Sequence, residues 1–162
     1  MIRRADTLRQ LFDFESQIEE AVESVLSSTG VASYSQRSDR ELVVPRFEVQ
    51  FTAGAATGSY SGPQTYMLRY PDAFNGSLKI RHITSRSGDI TYTQHRQNVS
   101  QIRENLYRHE MLITEDVLPF LKLDSILENG SSLGVDEDVR HDITELTFAV
   151  VFFVRPSAWP SA

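Results

Sequence analysis

From Thr144 to Trp159 the chain reads TELTFAVVFFVRPSAW, and its even positions from Leu146 through Phe148, Val150 and Phe152 to Val154 are all apolar. The odd positions begin polar at Glu145 and Thr147 and turn apolar at Ala149, Val151 and Phe153. Such alternation marks a β-strand, whose successive side chains point to opposite faces. One face is predicted to be buried throughout, the other only toward the C-terminal end. At about 3.3 Å per residue, Thr144 to Arg155 would reach roughly 40 Å. A strand that long with two apolar faces is an aggregation hazard unless covered. The second face, Ala149, Val151 and Phe153, is therefore expected to lie under a helix or a neighbouring subunit.

Helical spacing dominates the start of the chain. Thr7 with Gln10 three residues later fits a capping box, and Leu8, Leu11, Ile18, Ala21, Val22, Val25 and Leu26 then recur on one stripe until Gly30 stops the helix. The outer face is expected to be acidic, with Glu15, Glu19, Glu20 and Glu23. A second amphipathic helix is predicted from the Thr91/Gln94 capping box, through Tyr92, His95, Val99, Ile102 and Leu106, to near Arg108.

Strands fill the intervals. Val31 to Ser35 is a weak one, and Arg46 to Ala53 alternates cleanly, with Phe47, Val49 and Phe51 on one face and Glu48, Gln50 and Thr52 on the other. Gly54 to Thr65 is small and polar, and is expected to be a flexible loop, with a strand or turn at Tyr66 to Tyr70 beyond it. Asn75-Gly76 predicts a tight turn before a strand at Ser77 to Arg86, which Ser87-Gly88-Asp89 breaks. A helical turn around Thr114 to Leu118 leads to a strand at Phe120 to Leu127. Asn129-Gly130 and Ser131-Ser132 are then expected to turn the chain into an acidic loop, Asp136-Glu137-Asp138, ahead of the terminal strand, which Pro156 and Pro160 end. The sum is an α+β fold, a mainly antiparallel sheet with two amphipathic helices packed on it, in a single domain over residues 1–162.

Composition narrows function chiefly by exclusion. The chain has 162 residues and no cysteine, so no disulfide, zinc-thiolate site or cysteine nucleophile is available. A net charge of -6 argues against a generic nucleic-acid binder. The N-terminus has no apolar signal-peptide core, and the run from Leu146 to Val154 is too short to cross a bilayer as a helix, so no membrane partner is expected. His82, His95, His109 and His141 lack metal-site spacing. Asp136, Asp138 and Asp142 alternate as in a calcium loop, but Arg140 takes a ligand position and Thr147 stands where a bidentate glutamate should be. No phosphate-binding loop or nucleophile elbow is present, and neither a cofactor nor catalysis is expected.

Charge distribution carries more. Lys79, Arg81, Arg86, Arg96, Arg103 and Arg108 face only two acidic residues between positions 79 and 108, whereas positions 115 to 145 hold nine acidic residues against Lys122 and Arg140. Opposite charges on different flanks suit head-to-tail contacts that close into a ring. The candidate contact residues are those six, with Glu15, Glu19, Asp136 and Asp138 as acidic counterparts. Fourteen of the sixteen basic residues are arginine, the cation better suited to interface pairing.

An acidic N-terminal helix, the strand RFEVQF, the segment PDAFNGSLKIRHITSR, the helix QHRQNVSQIRENL, the LPF turn, and DVRHDITELTFAVVFFVRPSAW after an acidic loop together resemble the small neck and tail-completion proteins of tailed bacteriophages, the tail terminator type in particular. The resemblance rests on element order over most of the chain. It implies a non-catalytic virion protein of the tail or neck, assembled in the host cytoplasm as a homo-oligomeric ring, usually a hexamer. That ring would cap the tail tube protein, meet the head-side connector or stopper protein, and let DNA pass through its lumen without sequence-specific binding. The 54–65 loop would reach a neighbouring ring, and the arginines between 79 and 108 would make subunit contacts or line the channel. Two other expectations stand beside it: another head-tail connector or tube-like ring subunit, and a small α+β ligand-binding domain or enzyme, which a pocket enclosing several of His82, His95, Tyr92 and Asp142 would favour.

Overall fold

The computed structural model describes residues 4–35, 44–57, 73–86, 88, 90–108, 116–136 and 140–160. Five strands, β1 (Ala32–Ser35), β2 (Arg46–Thr57), β3 (Ala73–Ser85), β4 (Leu121–Asp136) and β5 (His141–Val154), form one sheet in the order β1-β2-β3-β5-β4. β1 runs parallel to β2 and every other neighbouring pair is antiparallel. With the helices α1 (Leu8–Leu11), α2 (Phe14–Ser27) and α3 (Tyr92–Tyr107), and a 3-10 turn at Pro156–Ala158, the fold is α+β with a mainly antiparallel sheet.

Both long helices cover the same side of that sheet. Phe14 of α2 packs on Phe152, and His95 of α3 hydrogen-bonds Thr144, two residues on the even face of β5. Leu146, Phe148, Val150 and Phe152 are buried there with Phe47, Val49 and Phe51 of β2, Leu78 and Ile80 of β3, and Leu123 and Ile126 of β4. Ile18, Val22, Val25 and Leu26 of α2 and Val99, Ile102 and Leu106 of α3 close the core from above. A satellite cluster of Ala5, Leu11, Phe120 and Ala158 joins the two described ends of the chain, and the Ala5 amide donates to the Ala158 carbonyl at 2.9 Å.

Several expectations need correction. The first helix is two helices, because Asp13 caps a fresh start: its carboxylate accepts from the Ser16 amide at 3.4 Å. The Gln17 side chain donates across the break to the carbonyls of Gln10, Leu11 and Asp13. Thr7 does cap α1, but the Gln10 side chain accepts from the Asp6 amide, one residue before the position a capping box uses. Gly30 stands past the end of α2 at φ 78°, the left-handed conformation that only glycine adopts without strain.

Asn75-Gly76 is not a turn, since β3 begins at Ala73 and both residues pair with β2 or β5. Gly76 is required by close approach: a Cβ there would run into the Phe51 ring and the Thr52 carbonyl. Nor do Asn129-Gly130 and Ser131-Ser132 turn the chain, because β4 continues to Asp136 and absorbs Asn129 in a register shift between Glu128 and Gly130. β2 likewise runs on to Thr57, so the expected 54–65 loop starts as strand; its remainder, and the element expected at Tyr66 to Tyr70, lie outside the described residues. Asp116 to Phe120 is turn and bend. Among the described residues no helix is long and apolar enough to cross a membrane.

Candidate interaction surfaces

The side of the sheet away from the helices carries a charged ladder at one end. Strand register sets Arg81 opposite both Glu48 and Glu145. Its guanidinium lies 3.5 Å from Glu48 and 3.7 Å from Glu145, which also meets Lys79 at 3.6 Å, and Arg46 closes on Glu48 from the same strand. At the other end the face turns apolar. Leu127 lies opposite Ala149 and is 60% exposed, Ala149 is exposed, and Val151 and Phe153 are half-buried. Of the two covers expected for this strip, a helix or a neighbouring subunit, no described helix supplies the first, because α2 and α3 both lie on the opposite side. The described cover is Lys122, whose ammonium stands 5.7 Å from the Phe153 ring centre.

Most of the basic candidates meet carboxylates of their own chain. Arg86 donates to Asp142 at 2.9 Å and Arg108 to Glu104 at 2.8 Å. Arg103 of α3 makes a two-pronged contact with Glu128 of β4, at 2.9 and 3.0 Å, and this bond outweighs the opposing effect of partial burial, so the guanidinium holds its proton more tightly than usual. Arg96 differs: its guanidinium lies over the exposed Tyr92 ring at 5.9 Å, and no carboxylate pairs with it among the described residues. The basic middle and the acidic last third therefore largely meet inside one molecule.

The acidic candidates divide. Glu20 is exposed, and Glu15 and Glu23 are half-buried. Glu19 is buried, and its carboxylate accepts from the Phe51 amide at 3.0 Å, so it does not belong to an outer acidic face. Asp136 ends β4, and Asp138 lies outside the described residues.

Two histidines sit where α3 meets the sheet. The His82 and His95 rings stack at 4.7 Å, and the Phe47 ring lies 4.4 Å from that of His82. His82 Nδ1 faces the Arg46 carbonyl at 3.0 Å and must donate, which leaves Nε2 to accept from the Asn98 side-chain nitrogen at 3.2 Å. Gln94 in turn donates to the Asn98 oxygen at 2.9 Å. That use of Gln94 replaces the return half of the expected capping box; Thr91 still caps α3 by accepting from the Gln94 amide. His95 bridges Thr84 at 2.8 Å and Thr144 at 2.7 Å. Burial pushes the His82 pKa down to about 4, against the pull of the Arg46 carbonyl, and lowers that of His95 despite nearby Asp142.

Beside this junction a groove of about 210 Å³ runs between α3 and the far half of β4, lined by Tyr92, Arg96, Val99, Ser100, Arg103, Ser131, Ser132, Leu133 and Thr144. Of the four residues whose shared pocket would favour a ligand-binding domain, Tyr92 alone lines it. No group of three or more potential ligands is placed to hold a metal ion among the described residues.

Glu48, Glu128, Asn98, Thr84 and Thr144 escaped the sequence as contact-forming residues. Asn98 follows His95 by three residues, which puts both on one helix face and was a usable signal. Glu48 and Glu128 depend on strand register, which no local pattern discloses.

No protein-family model and no curated protein matches the sequence. Among solved structures, a chain of the virion of a native gene transfer agent (GTA) particle shares the fold with a TM-score of 0.50 at 13% identity, over 91% of this chain and 98% of that one.

Proposed function

We propose that this chain is a structural protein of a phage-like virion, a tail terminator or close neck relative. In this reading it forms a homo-oligomeric ring, hexameric by the family pattern, which ends the tail tube and joins it to the head-side connector. The observation that carries the reading is the likeness in fold to a component of the gene transfer agent virion, which spans 91% of this chain and 98% of that one. The element order that resembles tail terminators narrows virion protein to neck protein.

Assembly gives the uncovered strip a use. Leu127, Ala149, Val151 and Phe153 lie against a neighbouring subunit, which removes from water the apolar face that α2 and α3 do not cover. Arg96, with its charge uncompensated among the described residues, and Glu15 and Glu20 lie on the helix side of the sheet, where they are available to the neighbour that the helices meet. DNA passes the lumen without sequence-specific binding, and a net charge of -6 suits passage better than capture. The chain acts as a scaffold rather than an enzyme. Supporting this, the ring nitrogens of His82 and His95 are all engaged by neighbours that hold the fold together.

Light scattering after size-exclusion chromatography, with negative-stain imaging of the protein alone and mixed with tail tubes, tests the reading. Rings that cap tube ends are expected. A strict monomer at high concentration that leaves tubes uncapped would overturn it, and rings that stack on one another into tubes would favour a tube-like subunit instead.

A further inference from the structure

Helix α3 is fixed to the sheet by two different chemistries. Its C-terminal half buries Val99, Ile102 and Leu106 in the apolar core, whereas its N-terminal half reaches the sheet through the buried polar residues His95 and Asn98. In that second contact two imidazoles stack at 4.7 Å, and the partners of His82 fix it as the neutral ring. A proton added at His82 Nε2 would set an N–H against the Asn98 amino group, and a proton on each ring would face two cations across the stack.

We propose that this junction is an acid-sensitive latch: protonation of the His82–His95 pair frees the first half of α3, Tyr92 to Asn98, from the sheet, while the second half stays docked. Opening would widen the groove beside Arg96 and bare the Phe47 ring. The surrounding charges set the order of events. Asp142 of β5, itself held by Arg86 at 2.9 Å, favours a proton on His95, and a charged His95 then opposes one on His82. On β2, Arg46 offers its carbonyl to His82 while its guanidinium turns to Glu48. On α3, Arg96 lies over Tyr92, whose ring stacks at 6.2 Å from that of His95. The latch does not depend on the assembly reading.

Hydrogen exchange followed by mass spectrometry from pH 7.5 to 4.5, corrected for the intrinsic pH dependence of exchange, tests it. Protection of residues 92–98 should fall as pH drops below 6.5, approaching about tenfold per pH unit for the first proton. The α2 segment 14–27 and the β5 segment 146–152 should keep theirs. Parallel loss in α2, or none in α3, would overturn the latch. Imidazole NMR titration supplies the second measurement: both rings should titrate below 6.5, in step with the loss of α3 protection, and a ring that titrates at 6.5 while α3 stays protected sinks the idea. His95→Gln, which keeps hydrogen-bonding groups toward both threonines, should flatten the pH profile; an unchanged profile in that variant would also count against it.

Discussion

The Glu19 carboxylate of α2 takes the backbone amide of Phe51, just past the described pairing of β2 with β1. Among the described residues β1 pairs with β2 as far as Val49, and the Phe51 amide lies past that last described rung. An unpaired strand amide near the core is both an unmet donor and an invitation to foreign strands. A helix side chain meets a strand amide that the described part of β1 does not reach.

Replacing Glu19 therefore separates acceptor from shape. Glu19→Leu should cost about 1–3 kcal/mol by stranding the Phe51 amide, whereas Glu19→Gln keeps an acceptor and should cost about 1 kcal/mol or less. Urea unfolding of both variants checks this, and equal losses would show that the hydrogen bond contributes little.

Gly76 tests whether close approach, not turn formation, demands glycine. Its φ is not in the left-handed region, so the penalty for Gly76→Ala must come from collision with the Phe51 ring and the Thr52 carbonyl. Displacing a packed ring should cost about 1–3 kcal/mol. The double variant Gly76→Ala with Phe51→Leu should recover part of that loss in thermal melts; strict additivity would exclude the collision.

The depressed His82 pKa predicts acid sensitivity. The unfolded state, with an ordinary histidine, gains a proton near pH 6.5 while the folded state resists until about pH 4, so the contribution is complete above 6.5 and drains away through that window. The loss should be about 1 kcal/mol at pH 5.5, read as a lower denaturation midpoint. A flat profile between pH 7 and 5 would contradict it.

Arg103 and Glu128 should behave as a coupled pair. Their side chains are 37% and 17% exposed, which places them between a buried bridge and a solvated one. A double-mutant cycle with Arg103→Met and Glu128→Gln should give a coupling of about 1 kcal/mol, weakening with salt.

The face of the sheet away from the helices gives an assembly test independent of stability. Val151→Asp sets a charge among Leu127, Ala149 and Phe153 without touching the core. It should leave the monomer's melting temperature within a few degrees of the parent and abolish ring formation; rings of normal abundance would show that this strip is not covered by a neighbour.

How far the sequence disclosed this molecule depends on the range of the forces involved. The alternation of Leu146 to Val154 and of Phe47 to Phe51, and the helical stripe from Ile18 to Leu26, are local records of burial, and they located core and fold class correctly. Asn75-Gly76 and Asn129-Gly130 carry the same dipeptide and the same turn signal, yet one admits a neighbour's ring and the other forms a bulge, because tertiary contacts outrank local preference. The break before Phe14 was legible in Asp13, an N-cap residue, and was masked by the apolar stripe on both sides. Glu19 looked solvated because a helical period says nothing about a strand edge 32 residues away. Likewise, the arginines suggested a partner's carboxylates until strand register supplied the chain's own.

β5 comes last among the strands and yet stands inside the sheet, between β3 and β4. On the ribosome, β1, β2 and β3 would emerge with β3 still lacking the neighbour that completes it, and Phe14 of α2 would have Phe74 of β3 but not yet Phe152 to pack on. The hairpin of β4 and β5 is local and can form quickly, but its docking on β3 joins His141 to Ser85 and closes a long stretch of chain at once. The core therefore closes only once both β4 and β5 have been made. Until then the nascent chain carries its apolar segments and the free edge of β3 open to other molecules, and docking of that last hairpin removes both at once.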